Sequence, residues 1–274
     1  MGDGWGFLRT SRWIGLIAGA LVVSAVCVLL GAWQWGRYEQ RAAAVERVDR
    51  NWEADAVALD DVVAGGLRVP ADLEWQRVEL HGRWVPGSTV LLRNRPVAGT
   101  PALHVLAVFE ARRAAGPPIA LVVSRGWVPV DDAAPPLPAG DRAIVARLRV
   151  EEGPVDRTPP PGQVFSVHVA QVLSAADTDA VARLADVPVV QGWAQDTAPE
   201  PPLRGFPEPA RDLGSHLSYA FQWWFFAAAT PVGVAILARR ERIEGPAGTP
   251  GPRVRRRMSD EIAEDALIDA QLHG

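Results

Sequence analysis

A histidine at the head of an aromatic stripe is the group in this chain best placed to do chemistry. His216, Tyr219, Trp223, Phe226 and Thr230 recur at i, i+3, i+7, i+10 and i+14, so on a helix they share one face. An imidazole above a wall of flat rings is what axial ligation of a haem requires, since nitrogen binds the iron and rings pack against the porphyrin. Arg37 and Arg41, one helical turn apart, could meet propionates as bidentate donors. On this reading His216 is the metal ligand, and Tyr219, Trp223 and Arg37 complete a cofactor site. The competing reading of the same residues is an interfacial belt, with His216 a polar group at headgroup level and Arg37 snorkelling from the end of a span.

Elsewhere the chain offers little reactive chemistry. The other histidines, His81, His104, His168 and His273, are scattered, and nucleophile-elbow, Walker, zinc-spaced and dinucleotide patterns are absent. Cys27 is the single cysteine, which excludes an internal disulfide and a paired-thiolate metal site. With no catalytic constellation, the expectation is a protein that is not an enzyme. The net charge is −4, and the basic residues, all arginine, are interspersed with acids except at 253–257, so nucleic acid is excluded as a partner. Arg125-Gly126-Trp127-Val128-Pro129 reads as a strand end with a tight turn, and Arg93-Asn94-Arg95 as a solvated strand end.

Two apolar runs must position His216 and Arg37. Residues 14–32 carry no charge and reach roughly 28 Å as a helix, close to the hydrocarbon thickness of a bilayer. The run passes straight into Trp33-Gln34-Trp35 without a small-residue cleavage site, so it reads as a retained anchor rather than a signal peptide. Residues 217–238 form the second run, interrupted by Gln222, Thr230 and Pro231. Pro231 deprives the Ala227 carbonyl of its helical donor, a loss that a neighbouring helix or a hydroxyl can make good. Arginines flank both outer ends, which predicts two cytoplasmic termini and a large outer loop in a cell (plasma) membrane protein.

The expected division is a cytoplasmic segment over 1–12, a span over 13–35, an outer domain over 36–216, a second span over 217–238 and a cytoplasmic tail over 239–274. In the outer domain Val78-Glu79-Leu80-His81-Gly82-Arg83-Trp84 alternates apolar and polar residues as a half-buried strand does. Residues 88–93, 103–109, 119–124, 142–150 and 187–193 are further strand candidates, 169–173 and 178–184 short helices, and 196–211 an extended tether. The fold class is therefore an α+β membrane protein, two transmembrane helices flanking a mostly antiparallel β domain, a sandwich or an open barrel, plus a short acidic helix near the C-terminus over 259–272.

Leu30-Gly31-Ala32-Trp33-Gln34-Trp35-Gly36-Arg37, the strand just quoted, Leu92-Arg93-Asn94-Arg95, Val123-Ser124-Arg125-Gly126-Trp127-Val128-Pro129 and His216-Leu217-Ser218-Tyr219-Ala220-Phe221-Gln222-Trp223-Trp224-Phe225-Phe226-Ala227 occur in that order. Together they resemble the surfeit locus protein 1 family over about residues 13–240, and the composition suits a high-GC bacterium. The resemblance implies an assembly factor for haem-copper cytochrome c oxidase acting where haem a enters the catalytic subunit. The family's histidine at the start of the second span, implicated there in haem binding, maps onto His216. The implied cofactor is transient haem a, and the implied partners are oxidase subunits, haem a synthase and membrane lipid. The alternative is a permanent accessory subunit that braces an oxidase or a respiratory supercomplex without handling haem. Arg41 stands where the family commonly has lysine, residues 131–171 are Pro-rich and hard to match, and the acidic tail after Arg257 is not a general family feature.

Overall fold

The computed structural model describes residues 5–64 and 66–244, so the Arg-rich segment 253–257, the expected acidic helix over 259–272 and His273 lie outside the described residues. The chain divides into two compact units, residues 1–38 with 215–274, and residues 39–214.

The first apolar run lies in a 41-residue helix, α1 (Ser11–Asn51), and the second in a 29-residue helix, α5 (His216–Glu244). Each is long and apolar enough to cross a membrane. Within the helical unit α1 buries Trp13, Ala20, Cys27 and Gly31 and half-buries Ser24 and Gln34, a pattern that repeats every seven residues. On α5 the matching seam is His216, Ala220, Trp223 with Trp224, Ala227, Val234 and Ala238. A 3.5-residue period on both helices is the signature of a left-handed pair.

Pro231 sits inside α5, and the Ala227 carbonyl that it leaves without a donor accepts a hydrogen bond from Ser24 Oγ of α1 at 3.0 Å. In the same turn Thr230 Oγ1 donates to Phe226 O at 2.8 Å. No water in an apolar seam can replace Ser24, so Ser24→Ala should destabilise the helix pair by about 1–2 kcal/mol while Ser24→Thr costs less. Thermal unfolding in detergent micelles measures this, and equal midpoints for Ser24→Ala and the native chain would contradict it.

The β unit is a closed barrel. Its elements in order are β1 (Val57–Ala58), α2 (Leu59–Val63), β2 (Arg77–Trp84), β3 (Val90–Leu92), β4 (Ala102–Ala111), β5 (Ile119–Pro129), β6 (Arg142–Arg149), β7 (Gln163–Val164), α3 (Val169–Ala175), α4 (Thr178–Arg183) and β8 (Val189–Asp196). Strands β2, β6, β8, β5 and β4 neighbour one another in turn, and β2 returns to pair with β4 through Gly82↔Ala111, Arg83↔Glu110 and Trp84↔Phe109. The sandwich-or-open-barrel expectation thus resolves to a barrel closed at Gly82, which also pairs with Arg142 of β6. Pairing is mostly antiparallel, with β5–β8, β1–β2 and β3–β7 parallel.

Alternation sets the two faces. Val78, Leu80, Phe109, Leu121, Val123, Leu148 and Ala194 face inward as one cluster capped by Leu59, Val62 and Val63 of α2. Leu106, Val122 and Trp193 point outward, where α3, β3 and β7 cover them. The last turn of α1 is fastened to this unit: Asn51 Nδ2 donates to Asp72 O at 2.7 Å and Glu74 O at 2.8 Å, and the Arg147 guanidinium lies 3.7 Å from the centre of the Trp52 ring.

One expectation changes and another gains detail. β5 does not end before Arg125 but continues to Pro129, because Gly126 takes φ +134 and lets the Arg204 carbonyl approach to 2.8 Å of where a Cβ would sit. The extended segment 196–211 is also tied down on the β unit. Trp127 exchanges backbone hydrogen bonds with Arg204 and donates Nε1–H to Gly205 O at 2.8 Å, and Leu203 is buried.

Candidate functional site

His216 is the first residue of α5, and the heptad seam brings it to Gln34 of α1, 182 residues earlier in the chain. Its Nδ1 lies 2.9 Å from Gln34 Oε1. An amide oxygen only accepts, so Nδ1 is the donor in this pair, and in the neutral imidazole that leaves the lone pair on Nε2. This is the orientation that metal-ligating histidines adopt when an outer partner holds the other ring nitrogen.

An indole shelf adjoins the pair. Trp224 lies against the α1 backbone at Gly31, where a Cβ would overlap its ring, and the Trp35 ring lies beside it, tilted, at 5.9 Å. Phe221 meets Trp224 edge-on at 5.8 Å. Gly31 is what admits the indole, since any side chain there would push Trp224 and the helix carrying it outward.

The other predicted residues are placed less centrally. Trp223 is half-buried and meets Phe226 edge-on at 6.1 Å, continuing the aromatic wall below His216. Tyr219 is 48% exposed and Phe226 41%, so both flank the seam rather than line it. Arg37 is exposed on α1, three residues beyond Gln34 and hence on the same side of that helix. Arg41 belongs to the β unit and is committed there, its Nε donating to Asp212 O at 2.7 Å and Nη2 to Ala210 O at 3.3 Å. Sequence reading missed Gln34 as the partner of His216 and Trp224 as the packed indole. The seven-residue recurrence of Trp13, Ala20, Cys27 and Gln34 was the signal that could have found them.

The donor set suits a haem in two respects. It offers one imidazole held through Nδ1 by Gln34, and it offers exposed flat rings on the same helix below it. Among the described residues no three His, Cys, Asp or Glu side chains gather as a metal cluster.

The β unit holds two buried polar features of a different kind. His104 on β4 is packed at 4.8 Å against Phe206, and burial, helped by the Arg95 charge, pushes its pKa down to about 4, so it is neutral at pH 7. Arg95 is itself held by Glu152 through two hydrogen bonds at 2.6 and 2.5 Å, an ion pair where a solvated strand end was expected. Burial works to raise the Glu152 pKa, but the hydrogen bonds from Arg95 and the Val167 amide outweigh it and hold the carboxyl below its usual range. Arg125, 4% exposed, donates to the Pro135 and Pro136 carbonyls at 3.1 Å and lies over Trp84 at 5.6 Å. It clamps the Pro-rich segment onto the barrel.

Comparison with known proteins agrees with the layout. The profile of the SURF1 family matches residues 21–228, well over half of the chain. An uncharacterized SURF1-like protein of Mycobacterium tuberculosis and one of Mycobacterium bovis are each 29% identical over 256 residues, covering 90% of this chain and 92% of the relative.

Proposed function

The chain belongs to the SURF1 family, and on that premise we propose that it is a membrane-anchored assembly factor for cytochrome c oxidase that assists haem a entry into the catalytic subunit and has no turnover of its own. The observation that carries this reading is the His216–Gln34 pair, which holds an imidazole with Nε2 presented at the head of an aromatic helix face. Haem is cargo in this scheme. His216 holds it by one coordinate bond, Trp223 and Phe226 pack against it, and Arg37 offers a guanidinium fork to a propionate. A single axial ligand and a half-exposed aromatic face favour release to an acceptor over permanent retention. The partners in this reading are the oxidase subunits and haem a synthase.

The membrane setting rests on exposure. Leu21, Val22, Leu29, Phe225 and Ile243 are among many large apolar side chains that α1 and α5 turn outward, an uncovered surface that water would not tolerate but lipid would. With arginines outside both runs, the termini are cytoplasmic and the β unit lies on the outer side of the cell membrane. A thiol at exposed Val130 (Val130→Cys in a Cys27→Ala background) should react with a membrane-impermeant reagent on intact cells, and labelling only after lysis would reverse the topology.

Deletion tests the function. Cells lacking the chain should contain oxidase catalytic subunit deficient in haem a and lose oxidase activity. Normal haem content and activity would remove the assembly role. Constant stoichiometry of the chain with mature, fully loaded oxidase would instead assign it as a permanent accessory subunit.

A further inference from the structure

The end of the helical unit that holds the C-terminus of α5 carries a slot that the haem reading does not use. Trp5, Leu8, Trp13, Ile17, Pro231 and Ala235 are among its walls, and its volume is about 330 Å³. The N-terminal residues help to build it. A 3-10 turn, Gly6–Arg9, folds back so that Phe7 meets Trp13 edge-on at 5.3 Å and Trp5 stacks on Phe7 at 6.0 Å. Small side chains at Ala20, Ala235 and Ala238 leave the space open.

The rim is cationic. The Arg242 guanidinium lies 4.7 Å over the Trp5 ring and the Arg12 guanidinium 5.9 Å over the Trp13 ring, so two of the indoles that wall the slot are each capped by a guanidinium. Arg9, Arg239 and Arg240 stand at the same end, all exposed. Among the described residues only Arg12 of these five is in an ion pair, with Glu241 at 3.2 Å.

We propose that this slot is a binding site for an anionic phospholipid, with an acyl chain lying between Trp13 and Ala235 and the headgroup held by Arg12, Arg242 and their neighbours. A zwitterionic lipid would fill the apolar part equally, but its phosphate is offset by its own ammonium, whereas an anionic headgroup brings a net charge to a rim where only Arg12 is already paired, with Glu241, so net charge decides the occupant. The inference rests on the membrane reading above but not on haem binding.

The full chain, purified in mild detergent and reconstituted with equal amounts of phosphatidylglycerol and phosphatidylcholine, provides the test by native mass spectrometry. The native chain should retain phosphatidylglycerol preferentially. Arg12→Gln and Arg242→Gln should each lower that preference about fivefold, and Ala235→Phe, which fills the slot, should lose bound lipid of both kinds. Equal retention of the two lipids by the native chain overturns the proposal, as does a bound polypeptide in place of lipid. If Ala235→Phe does not insert, the two arginine variants decide alone, and unchanged preference in both overturns it. Alkaline carbonate extraction separates the two levels: a chain that stays in the membrane without lipid preference sinks only the slot, whereas a chain washed free sinks the membrane reading as well.

Discussion

Gly82→Ala should prevent the β unit from closing. Gly82 pairs with Ala111 of β4 on one side and Arg142 of β6 on the other, and a Cβ on it would overlap the Glu110 backbone carbonyl. The obstructing atom is backbone, near the end of β4 where it pairs with β2, and cannot rotate away as a side-chain tip could. Relief requires β2 and β4 to part, which would also break the Arg83↔Glu110 and Trp84↔Phe109 pairs and the edge-to-face contact of Trp84 with Phe109 at 4.9 Å. Overpacking of this kind costs roughly 3 kcal/mol or more, a large fraction of the 5–15 kcal/mol by which a domain is stable. Gly153→Ala is the control, since nothing lies within 4 Å of its added Cβ. Thermal unfolding of the two variants should differ widely, with Gly82→Ala poorly expressed or melting far below the native chain. Equal midpoints would show that the closure is not as tight as described.

That closure was not legible in the sequence. The alternation in Val78-Glu79-Leu80-His81-Gly82-Arg83-Trp84 gives the strand and its buried face, and the apolar runs 103–109 and 119–124 give its neighbours, because period and burial are local properties. Whether β2 returns to β4 depends on a register between strands separated by β3, and a glycine in a strand does not say which backbone will approach it. The end of β5 was misjudged for a related reason: Arg125-Gly126-Trp127 looks like punctuation, but the positive φ of Gly126 serves the approach of Arg204 rather than a turn. Strands β1 and β7 have two residues each, too few to show a period.

At the site, residue type and position were enough to single out His216 and the Pro231 carbonyl defect. The hydroxyl that repairs the defect, Ser24, and the amide that orients the imidazole, Gln34, lie on the other helix, and only the packing of the pair reveals them. The stripe read from His216 to Thr230 was slightly out of phase. It shares His216 and Trp223 with the packed seam, but at the alternate steps Tyr219 and Phe226 are exposed, one residue short of the buried Ala220 and Ala227.

His216→Ala is the variant on which the account turns. An alanine supplies no coordinate bond, so the loss of haem affinity should exceed the roughly 10- to 100-fold that removing an outer partner of a metal-bound histidine costs. Gln34→Leu removes that outer partner and should fall within that range, while Gln34→Glu still accepts the Nδ1–H and should retain the native spectrum. The helix itself should be unaffected in His216→Ala, because Tyr219, Trp223 and Trp224 still hold its end at the headgroup level. The decisive measurement is the absorption spectrum and haem content of the chain purified from membranes, taken for the native protein and His216→Ala at matched abundance. The account predicts co-purified haem in the native chain and its loss, or a changed axial-ligand spectrum, in the variant. Equal haem content with an unaltered spectrum in His216→Ala would contradict it.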